Sequence, residues 1–370
     1  MERRIGLGFI GCGEVGGEKH LPAVREVPEL QVVAVADRDP ERLRSAKERH
    51  RIAAATGYHD PAALLADPRV EVVAVCLPPT AQVAVAIEAL EAGKHVWIEA
   101  PIGLSMPDCD RLIAKAETSK GRVTVGFHMR WHRLVRETKR LIRDGRLGQI
   151  QSIRATWNSP RDDDTLPEWR RYRAQGGGAL VEVATDHYDL WRYLLDAEIA
   201  ELFASTVDGR WEDEAAVVAG HMTSGVLVSA VFSERANHDL EIEICGKAGR
   251  VRASLIRFEG LEYYPTEVMP SSPAARLGRI GHFLCELPRA LPRMHRAGDY
   301  RVSYRDHWRQ FVRTIRSGAP IEATLQDGRQ ALAAVLAGVH SSVVGRPVTP
   351  REAPGTITLR SGPGRVRAGG

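Results

Sequence analysis

The chain has 370 residues, 44% of them hydrophobic, and a formal net charge of +4. This length is too great for one comfortable core and suits two domains. The small, dispersed charge does not demand a nucleic acid or a membrane surface as a partner, and no apolar stretch approaches the length of a membrane span. Five cysteines without a C-x-x-C pairing, and a first strand in place of a signal peptide, predict a reducing cytoplasm.

The first predicted strand, Ile5–Ile10, leads into a glycine-punctuated turn that ends at Gly16, and a helix is predicted to follow. In the G-x-G-x-x-G pattern, Gly11 lets the chain turn sharply, Gly13 lets the backbone approach a pyrophosphate, and Gly16 lets the helix pack against the sheet. The helix amino terminus adds unpaired N–H groups and the positive end of its dipole. The turn therefore predicts a dinucleotide site formed by Gly11, Cys12, Gly13, Glu14, Val15 and Gly16.

An acidic residue, Asp37, ends the second predicted strand, Gln31–Ala36. It lies about 20 residues beyond the last glycine, as dinucleotide-binding folds require. A carboxylate here accepts hydrogen bonds from the ribose hydroxyls of NAD and repels the 2'-phosphate of NADP. Arg38 complicates the choice, because its guanidinium is able to hold that phosphate. We therefore expect NAD as the cofactor and leave NADP open; the alternative is a glycine-rich turn without a ligand in an ordinary parallel-sheet protein.

Apolar runs alternate with helical segments from Ile5 to about His128, which predicts a parallel sheet covered on both faces. Ligands of such sheets bind beyond the carboxyl ends of the strands. The turns that start at Leu77, Glu99 and Phe127 are therefore expected to line one crevice with the glycine turn. The cofactor contacts predicted from these turns are Leu77, Pro78, Pro79, Gln82, Glu99, Ala100, Pro101 and His128.

Several strand-like runs between Ile150 and Leu255, joined by short polar turns, predict a largely antiparallel sheet that the helix Ala179–Leu195 interrupts. We expect an α/β protein with a Rossmann dinucleotide-binding domain (residues 1–125), an α+β substrate and oligomerisation domain with an open sheet (126–360), and a flexible tail (361–370). An open sheet face needs cover, so a homodimer or homotetramer is expected to form through it.

The glycine turn, the Leu77–Thr80 turn, the run from Ala92 to Pro101 and the stretch Gly176–Leu190 together resemble the glucose-fructose oxidoreductase and inositol dehydrogenase family, Gfo/Idh/MocA. The resemblance extends over nearly the whole chain. It implies a dinucleotide-binding domain with an open-sheet domain, a dimer or tetramer built on that sheet, and NAD(P)-linked oxidation or reduction of sugars, cyclitols or related hydroxy compounds.

The chain departs from the family pattern at its proton-transfer positions. Members that transfer hydride usually carry Glu-Lys-Pro, whose lysine exchanges the proton of the reacting hydroxyl, whereas this chain has Ala100 in the middle place. The family also places an acid and, four residues later, a histidine in the stretch after the glycine triplet, and those places hold Glu182 and Asp186. His187 follows one residue later, about 100° around a helix from the usual place.

The acid–base role is expected to have moved to the helix that carries Glu182, Asp186 and His187. Glu182 and Asp186 are four residues apart, so their β-carbons lie about 5 to 6 Å apart on one face. Like charges this close resist double ionisation, which raises one pKa toward the range of a general acid or base. Asp186 is the first candidate, with Glu182 as its neighbour or as an acceptor for a sugar hydroxyl, and His187 is the second because imidazole titrates near neutrality. The alternatives without function are a solvated helix face and a satisfied interface histidine.

The predicted substrate contacts are Arg130, Trp169, Tyr172 and Arg173. Guanidiniums at these places suit a carboxylate or phosphate, which leaves an anionic small-molecule substrate open; a basic surface loop is the alternative. No metal site is predicted, because two carboxylates and an adjacent imidazole on one helix do not converge on an ion.

The leading interpretation is an NAD(P)-dependent oxidoreductase that acts on a hydroxyl or keto group of a sugar, cyclitol or related small molecule. The loss of both usual proton-handling residues favours two alternatives. One is a lyase, isomerase, epimerase or glycosidase-like enzyme that keeps a bound dinucleotide without net redox chemistry. The other is a dinucleotide-binding protein without catalysis.

Overall fold

The computed structural model describes residues 3–161, 164–257, 260–269 and 298–358, with scattered residues between 272 and 288. The predicted tail, 361–370, lies outside the described residues. The described residues divide into two compact units, one within Met1–His128 and Tyr304–Leu332 and the other within Met129–Ser303 and Ala333–Gly370. The first boundary therefore lies close to the predicted one.

The segment Tyr304–Leu332 belongs to the first unit, whereas the sequence predicted that all of residues 126–360 form the second domain. Trp308 and Phe311 are fully buried in the hydrophobic core of that unit. Trp308 stacks on Trp97 of the first sheet, with 4.2 Å between the ring centroids. Helical periodicity shows an apolar face but does not show which core will bury it.

The first unit holds a six-stranded sheet in the order β3-β2-β1-β4-β5-β6, with every neighbouring pair parallel. The strands are β1 Ile5–Ile10, β2 Leu30–Ala36, β3 Thr56–Tyr58, β4 Val72–Val75, β5 His95–Ile98 and β6 Val123–Val125. β1 and β4 are buried along their whole length, as strands covered on both faces are. The strand order reverses between β1 and β4, where sheets of this kind bind ligands. The predicted Rossmann sheet is confirmed.

The helices of this sheet begin with the residues expected at helix starts. They are α1 Leu21–Val24, α2 Pro40–Arg49, α3 Pro61–Leu65, α4 Pro79–Glu91 and α5 Met106–Thr118. Asp39 and Asp60 accept backbone N–H groups at the starts of α2 and α3, and each is followed by a proline at the first helical position. These short turns therefore lead the chain from the carboxyl edge of the sheet into the helices at fixed places.

The second unit holds a seven-stranded sheet in the order β13-β12-β11-β7-β10-β9-β8. The strands are β7 Ile150–Asn158, β8 Ile199–Val207, β9 Ala215–Met222, β10 Leu227–Ser233, β11 Asp239–Gly246, β12 Gly249–Ser254 and β13 Leu261–Pro265. β7 and β10 are parallel, and the other neighbouring strands are antiparallel. The largely antiparallel sheet expected from the sequence is confirmed.

The remaining α-helices are α6 Arg133–Arg143, α7 Ala184–Leu195, α8 Gly298–Ser317 and α9 Leu325–Val344. A π-helical turn, Ala179–Val183, precedes α7. Within the described ranges, none of the helices combines the length and apolar character that crossing a membrane requires. Cys12, Cys76, Cys109 and Cys245 are free thiols.

Candidate functional site

The glycine turn after β1 has the shape that a pyrophosphate-binding turn needs. Gly11 has a φ of +97°, and a β-carbon there would lie 2.2 Å from the carbonyl oxygen of Cys76. A β-carbon on Gly16 would lie 2.1 Å from the carbonyl oxygen of Gly11. Apart from its chain neighbours, no atom of the described residues lies within 4 Å of the place that a β-carbon on Gly13 would take. The outer glycines therefore shape the turn, and the middle one leaves an open space in which a phosphate group fits.

A π-helical segment, Glu14–His20, follows the turn and continues as α1. Such wide turns are rare and occur frequently at functional sites. Glu14 is exposed, Val15 is partly exposed, and Cys12 is buried. At the end of the segment, His20 is fully buried.

The Asp37 carboxylate is fixed beside the glycine turn. Its Oδ2 accepts the N–H of Cys12 at 2.8 Å, and its Oδ1 accepts the N–H of Asp39 at 2.9 Å. The side chain keeps partial exposure, and Arg38 beside it is exposed. A carboxylate oriented in this way has remaining acceptor positions for ribose hydroxyls, which fits the adenosine half of NAD.

Gln82 is buried and joins the turns after β4 and β5, which differs from its predicted contact with the cofactor. Its Nε2 donates to the carbonyl oxygen of Pro101 at 3.0 Å, and only 1% of the residue is exposed. Gln82 therefore supports the turn that carries Glu99. Among the other predicted contacts, Leu77, Pro78, Glu99 and Ala100 keep partial exposure, whereas Pro79, Pro101 and His128 are buried.

His187 lies in the core of the second unit. The predicted acid–base role would require this side chain to reach a substrate, and its buried position does not allow that. It is fully buried, and neither ring nitrogen has a hydrogen-bond partner among the described residues. Its ring lies 5.2 Å from that of Trp157 on β7 and 5.0 Å from that of Phe232 on β10. Burial lowers the pKa of His187 to about 3. The side chain is therefore a neutral packing residue between α7 and the sheet.

We expect His187→Phe to reduce the acid sensitivity of the fold. The unfolded-state pKa of histidine is about 6.5 and the folded value is about 3, so the unfolded chain binds the proton first. The stabilisation is complete above about pH 6.5 and falls as the pH drops toward 3. At pH 5 the loss is about 2 kcal/mol relative to neutral pH.

Urea unfolding at pH 7.5 and pH 5 gives the free energy of unfolding of the variant and of the wild type. We expect the wild type to lose about 2 kcal/mol more than the variant between the two pH values. Burial also lowers the pKa of His132, to about 4, but that contribution is present in both proteins and cancels. An equal loss of unfolding free energy in both proteins on acidification would contradict the burial of a neutral His187.

Glu182 is paired with two guanidiniums. Nη2 of Arg161 lies 2.8 Å from its Oε1, and Nη2 of Arg170 lies 2.9 Å from the same oxygen. Arg161 also contacts a second carboxylate, Glu234, with 3.0 Å between Nε and Oε1. The charge of Glu182 is therefore largely balanced by its own neighbours, and its predicted influence on the pKa of Asp186 is weakened.

Glu234, which follows β10, is a titratable residue of this cluster that the sequence analysis missed. It is 1% exposed, and its Oε2 accepts the indole N–H of Trp211 at 2.7 Å. Burial raises the pKa of Glu234 to about 7, and the nearby charge of Glu182 adds to the rise while Arg161 opposes it. The like-charge pair of this region is thus Glu182 with Glu234. No spacing rule connects a residue at a strand end with one at a distant helix start.

Two acids of α7, Asp186 and Asp189, have different surroundings. Asp186 keeps partial exposure. Asp189 is 1% exposed and pairs with Arg130, whose Nε donates to Oδ2 at 2.8 Å. Arg130 is itself 5% exposed, so its predicted substrate contact is replaced by a buried ion pair. Asp186 and Glu182 are the acids of this helical stretch that keep access to solvent.

Arg173 is also committed to a buried ion pair, contrary to its predicted substrate contact. Its Nε donates to Oδ2 of Asp213 at 2.6 Å, and both side chains are almost completely buried. Tyr172 is 43% exposed, and Trp169 is partly exposed with the guanidinium of Arg170 5.2 Å from its ring centroid. Of the predicted substrate contacts, the two aromatic residues remain accessible.

In the described part of the chain, His20, Cys76 and Glu99 offer possible ligand atoms within 4.8 Å of one another. Burial raises the pKa of the Cys76 thiol well above its usual range, which opposes the thiolate form that binds metals. His20 Nε2 lies 2.7 Å from Glu99 Oε1 and is engaged with it. We therefore assign His20 and Glu99 to a hydrogen-bond network.

Comparison with known proteins gives consistent matches over both units. Residues 5–127 match the family model "Oxidoreductase family, NAD-binding Rossmann fold", and residues 135–252 match the "GFO/IDH/MocA C-terminal domain". Myo-inositol 2-dehydrogenase of Thermotoga maritima is 28% identical over 335 residues, which cover 88% of this chain and 92% of that protein.

Two solved structures show the same fold. The WlbA dehydrogenase from Bordetella pertussis, in complex with NADH and UDP-GlcNAcA, has a TM-score of 0.78 and 21% identity, covering 94% of this chain and 98% of that one. Levoglucosan dehydrogenase, in complex with NADH and levoglucosan, has a TM-score of 0.77 and 21% identity, covering 94% of this chain and 99% of that one.

Proposed function

Because the chain belongs to the Gfo/Idh/MocA family of NAD-dependent oxidoreductases, we propose that it interconverts a hydroxyl and a keto group on a neutral sugar, cyclitol or related polyol. The observation that carries the substrate class is the pairing of four arginines of the second unit. Arg130, Arg161, Arg170 and Arg173 each form an ion pair with a carboxylate of the same unit. An anionic substrate that used one of these four guanidiniums would have to break its ion pair, whereas hydroxyl groups would not. The name of the inositol dehydrogenase relative agrees with a neutral polyol.

The first unit carries the residues that would hold the cofactor. The open space at Gly13 admits the pyrophosphate, and the oriented Asp37 carboxylate accepts the adenosine ribose hydroxyls. Asp37 favours NAD over NADP by repelling a 2'-phosphate. When bound, the nicotinamide ring supplies the hydride acceptor or donor that the side chains lack.

Asp186 is the proton-transfer group of this proposal. Ala100 cannot move a proton, and His187 is buried with no polar partner among the described residues, whereas Asp186 is partly exposed. In the oxidation direction, the Asp186 carboxylate accepts the hydroxyl proton as the carbinol carbon gives up its hydrogen with the electron pair. The oxygen then forms the carbonyl double bond, and the reverse steps reduce the ketone.

An assay with matched substrates tests the proposal. We expect NADH to appear, as absorbance of the reduced nicotinamide, when the protein receives NAD and a neutral polyol such as myo-inositol or D-glucose. D-Glucuronate differs from glucose by its carboxylate, and we expect its kcat/KM to be lower by about tenfold or more. A tenfold decrease corresponds to about 1.4 kcal/mol, which we attribute to the disruption of an ion pair by the carboxylate.

A preference for glucuronate would contradict the neutral substrate class. Product formation without net NADH would favour the lyase or isomerase alternative. Retained NAD with no turnover on either class of substrate would favour a binding protein.

We also propose that a second copy of the chain covers the open face of the second sheet. Exposed apolar side chains recur at alternate positions of its strands, as expected for one face of a sheet. Val217 on β9 and Val231 on β10 are register partners and are 48% and 46% exposed. Phe203, Val207 and Leu227 extend the same exposed set. Several exposed apolar side chains on one face of a sheet favour an interface between subunits.

A charged residue in this face is expected to dissociate the assembly. We expect Val217→Asp to convert a dimer or tetramer into monomers, because the carboxylate would be buried without a partner. Light scattering after size exclusion measures the mass directly. Val344→Asp is the matched control, because Val344 is 41% exposed and lies outside the sheet, in α9. A monomeric wild type, or an unchanged mass for Val217→Asp, would contradict the interface.

A further inference from the structure

The carboxylate of Glu99, which follows β5, is held by donors from the core of the first unit. Its Oε1 lies 2.7 Å from Nε2 of His20 and accepts the indole N–H of Trp97 at 2.7 Å. Both donor residues are fully buried, whereas the Glu99 side chain is 14% exposed. A β-carbon on Gly126 would lie 2.6 Å from Oε1, so the neighbouring turn leaves room for this carboxylate only by carrying a glycine. Neither hydrogen bond uses Oε2.

The tautomer of His20 follows from a second tryptophan. The indole N–H of Trp308 lies 3.0 Å from Nδ1 of His20, and an indole nitrogen only donates. Nδ1 must therefore accept, so the proton of the neutral imidazole is on Nε2 and points at Glu99. The rings of Trp97, Tyr304 and Trp308 meet the His20 ring edge-on, at centroid distances of 5.2, 4.9 and 5.9 Å. The imidazole is thus fixed in orientation as well as in tautomer.

Glu99 and Asp37 lie at separate positions along the carboxyl edge of the sheet. Asp37 follows β2 and Glu99 follows β5, with β1 and β4 between these strands. A dinucleotide that places its adenosine ribose at Asp37 and its pyrophosphate at the turn after β1 extends its nicotinamide half toward β5. Cys76, which lies 3.2 Å from the place of a β-carbon on Gly16, is within 4.8 Å of the His20–Glu99 pair. The pair is therefore adjacent to the cofactor cradle.

We propose that His20 is a positioning residue that fixes Glu99 so that Oε2 accepts a hydrogen bond from the nicotinamide half of the cofactor. The donor is an N–H of the carboxamide or a hydroxyl of the attached ribose. The inference rests on the proposed contact between Glu99 and NAD. A carboxylate held beforehand by two buried donors loses little freedom when it accepts a third bond, so the network supports affinity through preorganisation.

Calorimetry of NAD binding tests this role without turnover. His20→Leu removes the donor to Glu99, so the Glu99 carboxylate is no longer oriented for its hydrogen bond to the cofactor. We expect NAD binding to weaken roughly tenfold, as for the loss of one hydrogen bond to a charged group. His20→Gln keeps an N–H donor and is expected to restore most of the affinity. Glu99→Gln is expected to weaken binding to a similar degree, and the double variant His20→Leu/Glu99→Gln no further, because both changes remove the same interaction.

A cofactor analogue separates the two donors. The 3-acetylpyridine analogue of NAD lacks the carboxamide N–H group. If Glu99→Gln leaves its binding unchanged, the carboxamide is the donor to Glu99; if Glu99→Gln weakens it, the ribose hydroxyl is the donor. When Glu99→Gln weakens the binding of NAD itself, either result supports the acceptor role of Oε2, and unchanged binding of both NAD and the analogue would contradict it.

Nitrogen-15 NMR of the wild type reports the tautomer directly, even if His20→Leu fails to fold. We expect the His20 signal of an Nε2–H imidazole, and an Nδ1–H or doubly protonated ring would overturn the inference. Asp37→Ala separates this failure from that of the cofactor site. If Asp37→Ala weakens NAD binding while the His20 and Glu99 variants do not, only the positioning role is wrong. If none of the variants affects NAD binding, the proposed cofactor site is wrong.

Discussion

Gly13→Val is expected to abolish measurable NAD binding while leaving the fold intact. Of the three glycines of the turn, Gly13 is the one whose β-carbon would meet no atom of the described residues within 4 Å, apart from its chain neighbours, so the added side chain enters the space assigned to the pyrophosphate. We expect the dissociation constant to rise by at least about 100-fold, equivalent to about 2.7 kcal/mol. Gly13 precedes the first helical segment, so the free energy of unfolding should fall by no more than about 1 kcal/mol.

Calorimetric titration with NAD and urea unfolding of the same sample measure both quantities. Gly281→Val is the matched control, because a β-carbon at Gly281 also meets no atom of the part of the chain that the structure describes within 4 Å. Gly11→Ala provides the opposite case, since φ is +97° and its β-carbon would clash with the backbone at Cys76. It should lower both affinity and stability. Unchanged affinity in Gly13→Val would contradict the assignment of the open space to the cofactor.

The cofactor half of the protein was predictable because its chemistry is local. The glycines, the strand before them and the acid after β2 lie within one βαβ unit, and backbone constraints fix their roles. The first strand, Ile5–Ile10, has the bounds expected from the sequence. Short elements with little periodicity, such as β3 and α3, were missed because too few residues carry a pattern.

The candidate substrate residues were less predictable because their roles depend on distant partners. Arg130 and Arg173 have the residue type that binds anions, yet Asp189 and Asp213 neutralise them inside the fold. Residue type alone does not show whether a guanidinium faces solvent or a buried carboxylate. The sequence likewise does not show which of the adjacent residues Asp186 and His187 is buried. Adjacent residues on a helix point in different directions, and only the packing of the helix decides which of them faces the core.

The network around His20 illustrates the same limit in the first unit. Trp308 reaches His20 from a helix near the end of the chain, and Trp97 reaches Glu99 from within β5. The sequence predicted that Glu99 lines the cofactor crevice, but no local pattern indicated that His20, at the end of the segment Glu14–His20, would form a hydrogen bond with it. Such contacts depend on the three-dimensional register of a strand, a turn and a distant helix.

Asp186→Asn is expected to lower kcat by about 10²–10⁴-fold with little change in NAD affinity. Asparagine has nearly the same volume as aspartate, but it is neutral and cannot accept the hydroxyl proton. The effect should fall on kcat more than on KM, because a proton acceptor acts in the transition state and contributes less to ground-state binding. Steady-state kinetics on the neutral polyol that shows turnover, together with calorimetry of NAD, separate these quantities.

Asp196→Asn is the control for the same chemical change next to the same helix. Asp196 follows α7, its side chain is 82% exposed, and its φ of +47° is one that asparagine tolerates well. Asp189→Asn is not a suitable control, because Asp189 belongs to a buried ion pair with Arg130, and breaking such a pair destabilises the fold by about 3–5 kcal/mol. A loss of less than about threefold in Asp186→Asn, equal to that in Asp196→Asn, would show that the proton leaves through another group. Glu234, whose pKa is raised to about 7 by burial, would then be the next carboxyl to test, because a group with such a pKa takes up and releases a proton near neutral pH.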